Sequence, residues 1–170
     1  MTAKAQTTTK RAPTRRQGST KPATRPTATA KPDFARSVRL LDTDPVAALG
    51  QAKNVFGQEG FGVLAEIDLR DTLLTKLDKD IGPLWVIEVC NPSLAGRALA
   101  VDRRAGLLMP CKVAVWQEGR DAIVAALRPE VAVSVTGIEA LEAIAHEAER
   151  RIERALVRLE APGREIANEL

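Results

Sequence analysis

The fold of this chain is decided by the stretch Gly60–Asp68, which has the sequence GFGVLAEID. Its side chains alternate with a period of two, which is typical of a β-strand. One face takes Phe61, Val63, Ala65 and Ile67, and the other takes Gly62, Leu64, Glu66 and Asp68. Leucines then recur at helical spacing from Leu69 to Leu77, and Asp68 is placed to cap that helix. The stretch therefore predicts a strand that runs directly into a short helix.

A second strand and helix precede this stretch. The apolar-polar run Ala35–Leu41 predicts a strand. Asp44 followed by Pro45 is a strong helix start, because an N-cap acceptor precedes a residue that has no N–H to satisfy. The helix is expected to end at Gly57 and Gly60. Residues 35 to 68 are thus predicted to form a β-α-β unit.

The same cap-then-proline pattern recurs further along the chain. Leu84–Cys90 predicts a third strand, and Asn91 with Pro92 opens another short helix that ends near Val101.

A hairpin and a long helix complete the predicted elements. Leu107–Gln117 and Asp121–Leu127 predict two strands around a turn at residues 118–120. Pro110 lies within the first of these strands, which indicates an edge position or a bulge. An apolar stripe then predicts a long helix over Gly137–Ala161.

The element order predicts the fold class. It is β-α-β, a short helix, a strand, a second short helix, two strands and a long helix. Each long helix has one apolar stripe and can cover one face of a sheet. This order favours an α+β two-layer sandwich of about five strands with helices on one face.

Composition excludes several classes of protein. The chain has 170 residues, of which 45% are hydrophobic, so it can bury a core. No apolar run is long enough for a membrane helix and no secretory signal is evident, so we expect a cytoplasmic protein without membrane contact. Two cysteines are too few for a disulfide framework or a four-thiolate zinc site. The single histidine, His146, excludes a Ser-His-Asp triad unless it lies in a cleft.

The basic charge of the chain is concentrated in its first residues. Eight of the 25 lysines and arginines precede the first acidic residue, Asp33, and the remaining 17 are outnumbered by 22 acids. We expect residues 1–33 to be a disordered tail, 34–161 to form the single folded domain and 162–170 to be a short C-terminal tail. Residues 1–32 are interpreted either as an arm that contacts nucleic acid or another polyanion weakly, or as a solubilising extension.

Polar groups at two strand-to-helix junctions form the candidate site. Asp68 and Cys90 each lie beside free N–H groups at a helix start, where the helix dipole favours anions. Strand alternation adds Glu66 to the face of Asp68, and Glu88 to the face of Cys90. If the two strands are neighbours, these carboxylates and the thiol are expected to converge at one end of the sheet.

Structural interpretations of the same residues stay open. Asp68 is also a plain helix cap, and Cys90 a small buried hydrophobe. Nearby carboxylates would raise the pKa of Cys90 and oppose its activation. Cys111 falls at a predicted core position, and pairing it with Cys90 requires Cα atoms within about 7 Å.

The combined motifs resemble a known family. They are Gly60–Leu64 running into Glu66–Asp68, then Cys90-Asn91-Pro92, and finally Pro110-Cys111 after Gly106–Leu108. Together they are similar to the domain of unknown function 302 family, and the similarity extends over about residues 35–161. The resemblance implies a curved, mostly antiparallel sheet backed by helices and a tendency to form homodimers, but no activity.

The resemblance also implies which polar residues form the family signature. They fall on Glu66, Asp68, Cys90, Asn91 and Cys111. This chain departs from the family pattern twice, with Glu88-Val89 where small residues are usual and Ser93 in place of a second proline. Glu88 is therefore a secondary candidate, as is Cys111, and the carboxylate of Glu88 makes this site differ chemically from the family pattern.

Three functional hypotheses follow. The first is a homodimeric module that binds a small ligand or a metal ion, or senses redox state, near Glu66, Asp68 and Cys90. The second is a dimeric scaffold whose basic arm contacts nucleic acid or another polyanion. The third is a thiol-dependent enzyme, which ranks last because no base is evident near Cys90. The sequence assigns no cofactor and no catalytic residue.

Overall fold

A computed structural model describes residues 33–160 of the chain. The predictions for the basic tail and for the C-terminal tail concern residues outside that range, apart from Asp33. The described elements are β1 (Ala35–Leu40), α1 (Pro45–Gln58), β2 (Gly62–Asp68), α2 (Leu69–Leu77), β3 (Leu84–Cys90), α3 (Pro92–Val101), a 3₁₀ helix (Arg103–Leu108), β4 (Cys111–Glu118), β5 (Asp121–Leu127), α4 (Pro129–Ser134) and α5 (Glu139–Glu160). Within this range no helix combines the length and the apolar character needed to cross a bilayer.

The five strands form one open antiparallel sheet in the order β1-β5-β4-β3-β2. Helix α1 packs on β2 to β5, and α5 packs on β1 and on α1. The predicted α+β class, strand number and element order are confirmed. The sheet has two ends, which we name by their contents. The cysteine end holds Gly62, Cys90, Cys111 and Leu127, and the hairpin end holds Asp68, Leu84 and Glu118.

The main core lies between the sheet and the two long helices. Valine and isoleucine side chains of the central strands are fully buried there, including Ile87, Val113 and Val124. The helices contribute the facing layer, in which Phe56 of α1 and Ile152 of α5 are the largest buried side chains. Side chains of successive strand residues point to opposite faces of the sheet, so the buried positions lie on the one face that the helices cover.

A second, smaller apolar cluster closes the cysteine end. It is built from α3, the 3₁₀ helix and the first half of α5, and its members are Leu94, Ala98, Ala105, Leu141, Ile144 and Ala148. Asn91 caps the N-terminus of helix α3, and its Oδ1 accepts the Leu94 N–H at 3.2 Å. The end of the sheet is therefore covered by helices rather than open to water.

Two details of the predicted elements are corrected by the structure. Residues 107–110 do not extend β4, because the 3₁₀ helix ends at Leu108 and a cis Met109–Pro110 bond precedes Cys111. Proline has no N–H to donate to a sheet ladder, so the strand begins only after Pro110. Leu107, expected to alternate with the core positions, is 86% exposed. Helix α4 was also not predicted.

The face assignment within β2 is corrected as well. Val63 lies opposite Val89, but the register shifts between Val63 and Ala65, so that Ala65 lies opposite Glu88. Leu64 is the extra residue of this bulge, and it reverses the alternation. Val63 therefore shares a face with Glu66 and Asp68, not with Ala65 and Ile67.

Candidate functional site

An apolar cavity of about 70 Å³ lies at the cysteine end of the sheet. Its walls come from the ends of β3, β4 and β5, and from α3, α4, α5 and the 3₁₀ helix. Alanine, leucine, valine and proline residues form most of the lining, and no acidic or basic residue takes part. The cavity thus favours uncharged, apolar contents.

Four lining residues carry a sulfur atom or an amide: Cys90, Asn91, Met109 and Cys111. Asn91 is only 6% exposed and is held by its cap contact with α3. It also lies tightly against Gly60, where an added Cβ would come within 2.9 Å of the Asn91 Nδ2. The backbone of Gly60 has a φ of +82°, which glycine tolerates at little cost. Glycine at position 60 therefore makes room for the amide at the wall of the cavity.

The two cysteines are neighbours in the sheet but face opposite sides of it. Cys111 lies opposite Val89, and Cys90 is the next residue along β3. Since side chains of successive residues alternate, Cys90 points away from the face on which Cys111 packs against the main core. Both are free thiols. The close backbone positions satisfy the Cα condition for a disulfide, but the opposed side-chain directions require the backbone to move first.

Burial sets the protonation state of both thiols. Burial is the main reason that the pKa of Cys111 rises to about 11, and the charge of a nearby Cys90 thiolate adds to that rise. Burial also raises the pKa of the Cys90 thiol. At neutral pH both groups are therefore neutral thiols, which is the opposite of the lowered pKa that a thiolate nucleophile needs.

The structure does not bring the predicted carboxylates to the cysteines. Strands β2 and β3 are neighbours, as the hypothesis required, but they are antiparallel. Asp68 lies opposite Trp85 at the hairpin end, whereas Cys90 lies opposite Gly62. The six residue steps from Gly62 to Asp68 correspond to about 20 Å along the strand. The expected convergence of Glu66 and Asp68 with Cys90 is therefore corrected.

Each of the three carboxylates has a local partner instead. Asp68 caps α2, with its Oδ1 accepting the Asp71 N–H at 2.9 Å. Glu66 forms an ion pair with Lys53 of α1.

Glu88 contacts the neighbouring strand, where its Oε1 accepts from the Lys112 Nζ at 2.8 Å. Among residues 33–160, no group of three or more His, Cys, Asp or Glu side chains is arranged to hold a metal ion. Of the predicted site residues, the structure thus groups Cys90, Asn91 and Cys111 at one cavity, and Glu66, Asp68 and Glu88 lie outside its lining.

Met109 and the wall formed by α4 were missed at the sequence level. The predicted strand Leu107–Gln117 includes Met109, and the sequence predicts no element between Leu127 and Gly137. A proline followed by valines at positions 131 and 133 is a weak helix signal that was available. The single histidine, His146, lies on α5 with its side chain 62% exposed and in contact with Glu130.

Comparison with known proteins supports the fold described above. A family model described as "Domain of unknown function DUF302" matches residues 37–159, which include every strand except the start of β1. The chain belongs to the DUF302 family. A crystal structure of an uncharacterized conserved DUF302 protein from Bacillus stearothermophilus is similar to it, with 30% identity and a TM-score of 0.70. That similarity covers 74% of this chain and 98% of the other. No curated protein matches this DUF302 chain.

Proposed function

We propose that this DUF302 chain is a homodimeric module that binds a small, uncharged, apolar molecule in the cavity at the cysteine end. The observation that carries the proposal is the cavity itself, which is lined by hydrocarbon and sulfur and has no charged residue in its wall. Its volume of about 70 Å³ is well below that of sites for drug-sized ligands. The ligand is therefore a molecule of a few heavy atoms.

The thiols and the amide define what such a ligand would meet. Cys90 and Cys111 border the cavity as neutral groups, so they offer weak S–H donors and polarizable surfaces rather than thiolate ligands. The redox-sensing version of the proposal requires an oxidant that is itself apolar enough to enter. The metal-binding version loses support, because the carboxylates expected to complete the site lie elsewhere.

Xenon is a suitable probe, since it occupies dry apolar cavities without needing a polar contact. We expect xenon under pressure to shift the methyl resonances of Ala98, Leu141 and Ile144 saturably. Ala98→Leu, which fills the cavity from α3, should abolish that saturable shift. Ala47→Leu adds the same atoms to the exposed face of α1 and should leave it intact.

A second variant that fills the cavity is needed in case Ala98→Leu does not fold. Ala132→Leu enters the same cavity from α4, where Ala132 is only half-buried and the change is easier to accommodate. If the shifts of the wild-type methyl resonances rise linearly with xenon pressure and do not saturate, the cavity binds no ligand. The same conclusion follows if both filling variants, while folded, respond as the wild type does.

The thiol-dependent enzyme is weaker as an alternative. It needs an activated thiol, whereas burial raises the pKa of Cys90 and Cys111. A pH profile of alkylation checks this: we expect the rate at either cysteine to keep rising above pH 9. A plateau of the rate below pH 8 would favour the enzyme.

The basic arm supports a second candidate function, that of a scaffold which contacts nucleic acid. Eight cations in residues 1–32 predict weak DNA binding that falls steeply with salt. A full-length variant with those eight residues changed to glutamine should lose the binding, as measured by fluorescence anisotropy at low and moderate salt. Equal binding by that variant would exclude the arm as the contact.

A further inference from the structure

A second hollow lies directly outside one wall of the cavity. We call it the outer groove. It has a volume of about 300 Å³ and lies between the 3₁₀ helix and the connection from α4 to α5. Leu107 of the 3₁₀ helix and Val135 at the end of α4 both line it, and both side chains are more than four-fifths exposed. The groove is therefore open to solvent beside elements that also enclose the cavity.

The groove and the cavity share part of their walls. Ala105, Leu108 and Leu141 line both hollows, so a single layer of side chains separates them. Ala105 and Leu141 are 5% and 2% exposed and belong to the second apolar cluster, so their packing holds them in place. Leu108 is half-buried and occupies the last position of the 3₁₀ helix. Leu108 is thus the side chain of this layer that has the most freedom to move.

The two helices beside the groove are held by few buried side chains. The 3₁₀ helix and α4 have six residues each, and each has one buried residue, Ala105 and Pro129 respectively. The hydrogen-bond geometry of a 3₁₀ helix is also poorer than that of an α-helix. Segments with few buried apolar contacts open locally at a low cost in free energy. The wall at the groove should therefore open more readily than the wall formed by the long, well-packed helix α5.

A ligand needs a passage into the cavity, because helices cover this end of the sheet. We infer that small apolar molecules enter and leave the cavity through the outer groove, and that Leu108 is the side chain that closes the passage. The inference rests on the ligand cavity of the proposed function and adds its route of access. The exposed side chains of Leu107 and Val135 suit an uncharged apolar ligand, and the charged lining residues Asp102 and Arg104 pair with each other.

Saturation-transfer NMR of xenon with the full chain tests the route, because it gives the rate constants of entry and exit as well as the dissociation constant. Val135→Trp places a bulky side chain at the groove and does not alter the cavity lining, and position 135 is exposed enough to accept it. We expect both rate constants to fall about tenfold while the dissociation constant stays that of the wild type. Val157→Trp, at an exposed position of α5 outside both hollows, is the matched control and should leave the rates unchanged.

A second variant removes the side chain that closes the passage. With Leu108→Ala, xenon should enter the cavity about tenfold faster than in the wild type. Val133→Ala is its matched control, because Val133 lines the cavity from α4 but does not line the groove. It also enlarges the cavity, so its dissociation constant can change, but its entry rate should stay that of the wild type.

The outcomes separate this inference from the proposed function. Equal rate constants in the wild type and Val135→Trp overturn the route through the groove and leave the cavity as a binding site. Faster entry with Val133→Ala than with a folded Leu108→Ala overturns the role of Leu108, since the ligand then passes beside α4. A wild type that shows no saturable xenon binding overturns the proposed function and this inference with it.

Discussion

At the scale of single residues, Glu59 carries an unusually concentrated set of contacts. It lies at the end of α1 with its side chain only 6% exposed. Its Oε2 accepts two hydrogen bonds from Arg154, at 3.0 and 2.7 Å, and Arg158 lies 3.2 Å from its Oε1. The carboxylate therefore ties the first long helix to the last one.

We predict that Glu59→Gln lowers the free energy of unfolding by about 1–3 kcal/mol, because charge-assisted hydrogen bonds to a buried group are lost. The arginines are about half exposed and can turn to water, which limits the loss. Urea unfolding measures the change. Glu160→Gln is the control, because Glu160 is exposed on α5, the helix that carries the two arginines, and the change should have little effect.

Cys111 makes stability depend on pH in the alkaline range. Its pKa is raised from 9.0 to about 11 in the folded chain, so the unfolded chain loses this proton first as the pH rises. The stabilising contribution is complete below pH 9 and is lost as the pH rises through 11. Between pH 8 and 10.5 the wild type should lose about 2 kcal/mol more than Cys111→Ala does, as measured by urea unfolding. Parallel curves for the two proteins would contradict the prediction.

At the scale of elements, the junction between α1 and β2 depends on the absence of a side chain at Gly60. Gly60→Ala should lower stability by roughly 2–4 kcal/mol, since it adds strain at positive φ and a clash with Asn91. Gly119→Ala, in the turn between β4 and β5, is the matched control for Gly60→Ala. Gly119 also has a positive φ but open space around it, so only the strain of about 1–2 kcal/mol applies. Thermal unfolding of both variants should show the difference, and equal losses would exclude the clash.

The loop between α2 and β3 is held by a bidentate ion pair. Arg70 donates from Nε and Nη2 to Asp80, both at 2.8 Å, and the Gly82 N–H adds a bond of 2.9 Å. The hydrogen bonds from Arg70 are the main reason that the pKa of Asp80 falls to about 2.

Arg70→Gln should therefore move the Asp80 pKa upward, toward its ordinary value of 3.8, in an NMR titration. Because the folded pKa is lowered, this carboxylate stabilises the fold above pH 4 and loses that effect as the pH falls toward 2. Arg120→Gln, in the β4–β5 turn, should leave the Asp80 titration unchanged.

Local signals in the sequence predicted most elements correctly. Asp44 and Asn91 each precede a proline, and each accepts a backbone N–H at the start of its helix. Periodicity failed where the backbone departs from regular geometry. The bulge at Leu64 and the 3₁₀ helix that ends at Leu108 each interrupt an alternation that is unbroken in the sequence. Neither feature has a signal in the spacing of apolar residues, so the face of Val63 and the start of β4 were missed.

At the scale of the whole molecule, the candidate site depended on the direction of two strands. The sequence correctly indicated that Asp68 and Cys90 both end strands that lead into helices. In an antiparallel pair, however, the C-terminal ends of the two strands lie at opposite ends of the sheet, which separates the acids from the thiols. The cavity forms where α3, α4 and α5 pack around one end of the sheet, and no local sequence pattern predicts that packing.

The placement of α5 has a consequence for how the chain is made. This last element covers β1 and α1, the first elements of the domain, and supplies Ile152, Leu156 and Leu159 to the main core. While a ribosome has yet to release residues 139–160, the valine-rich sheet lacks the apolar side chains that α5 adds to the main core. The domain is then expected to complete its folding only after nearly all of it has emerged, and its apolar strands stay open to aggregation until that moment.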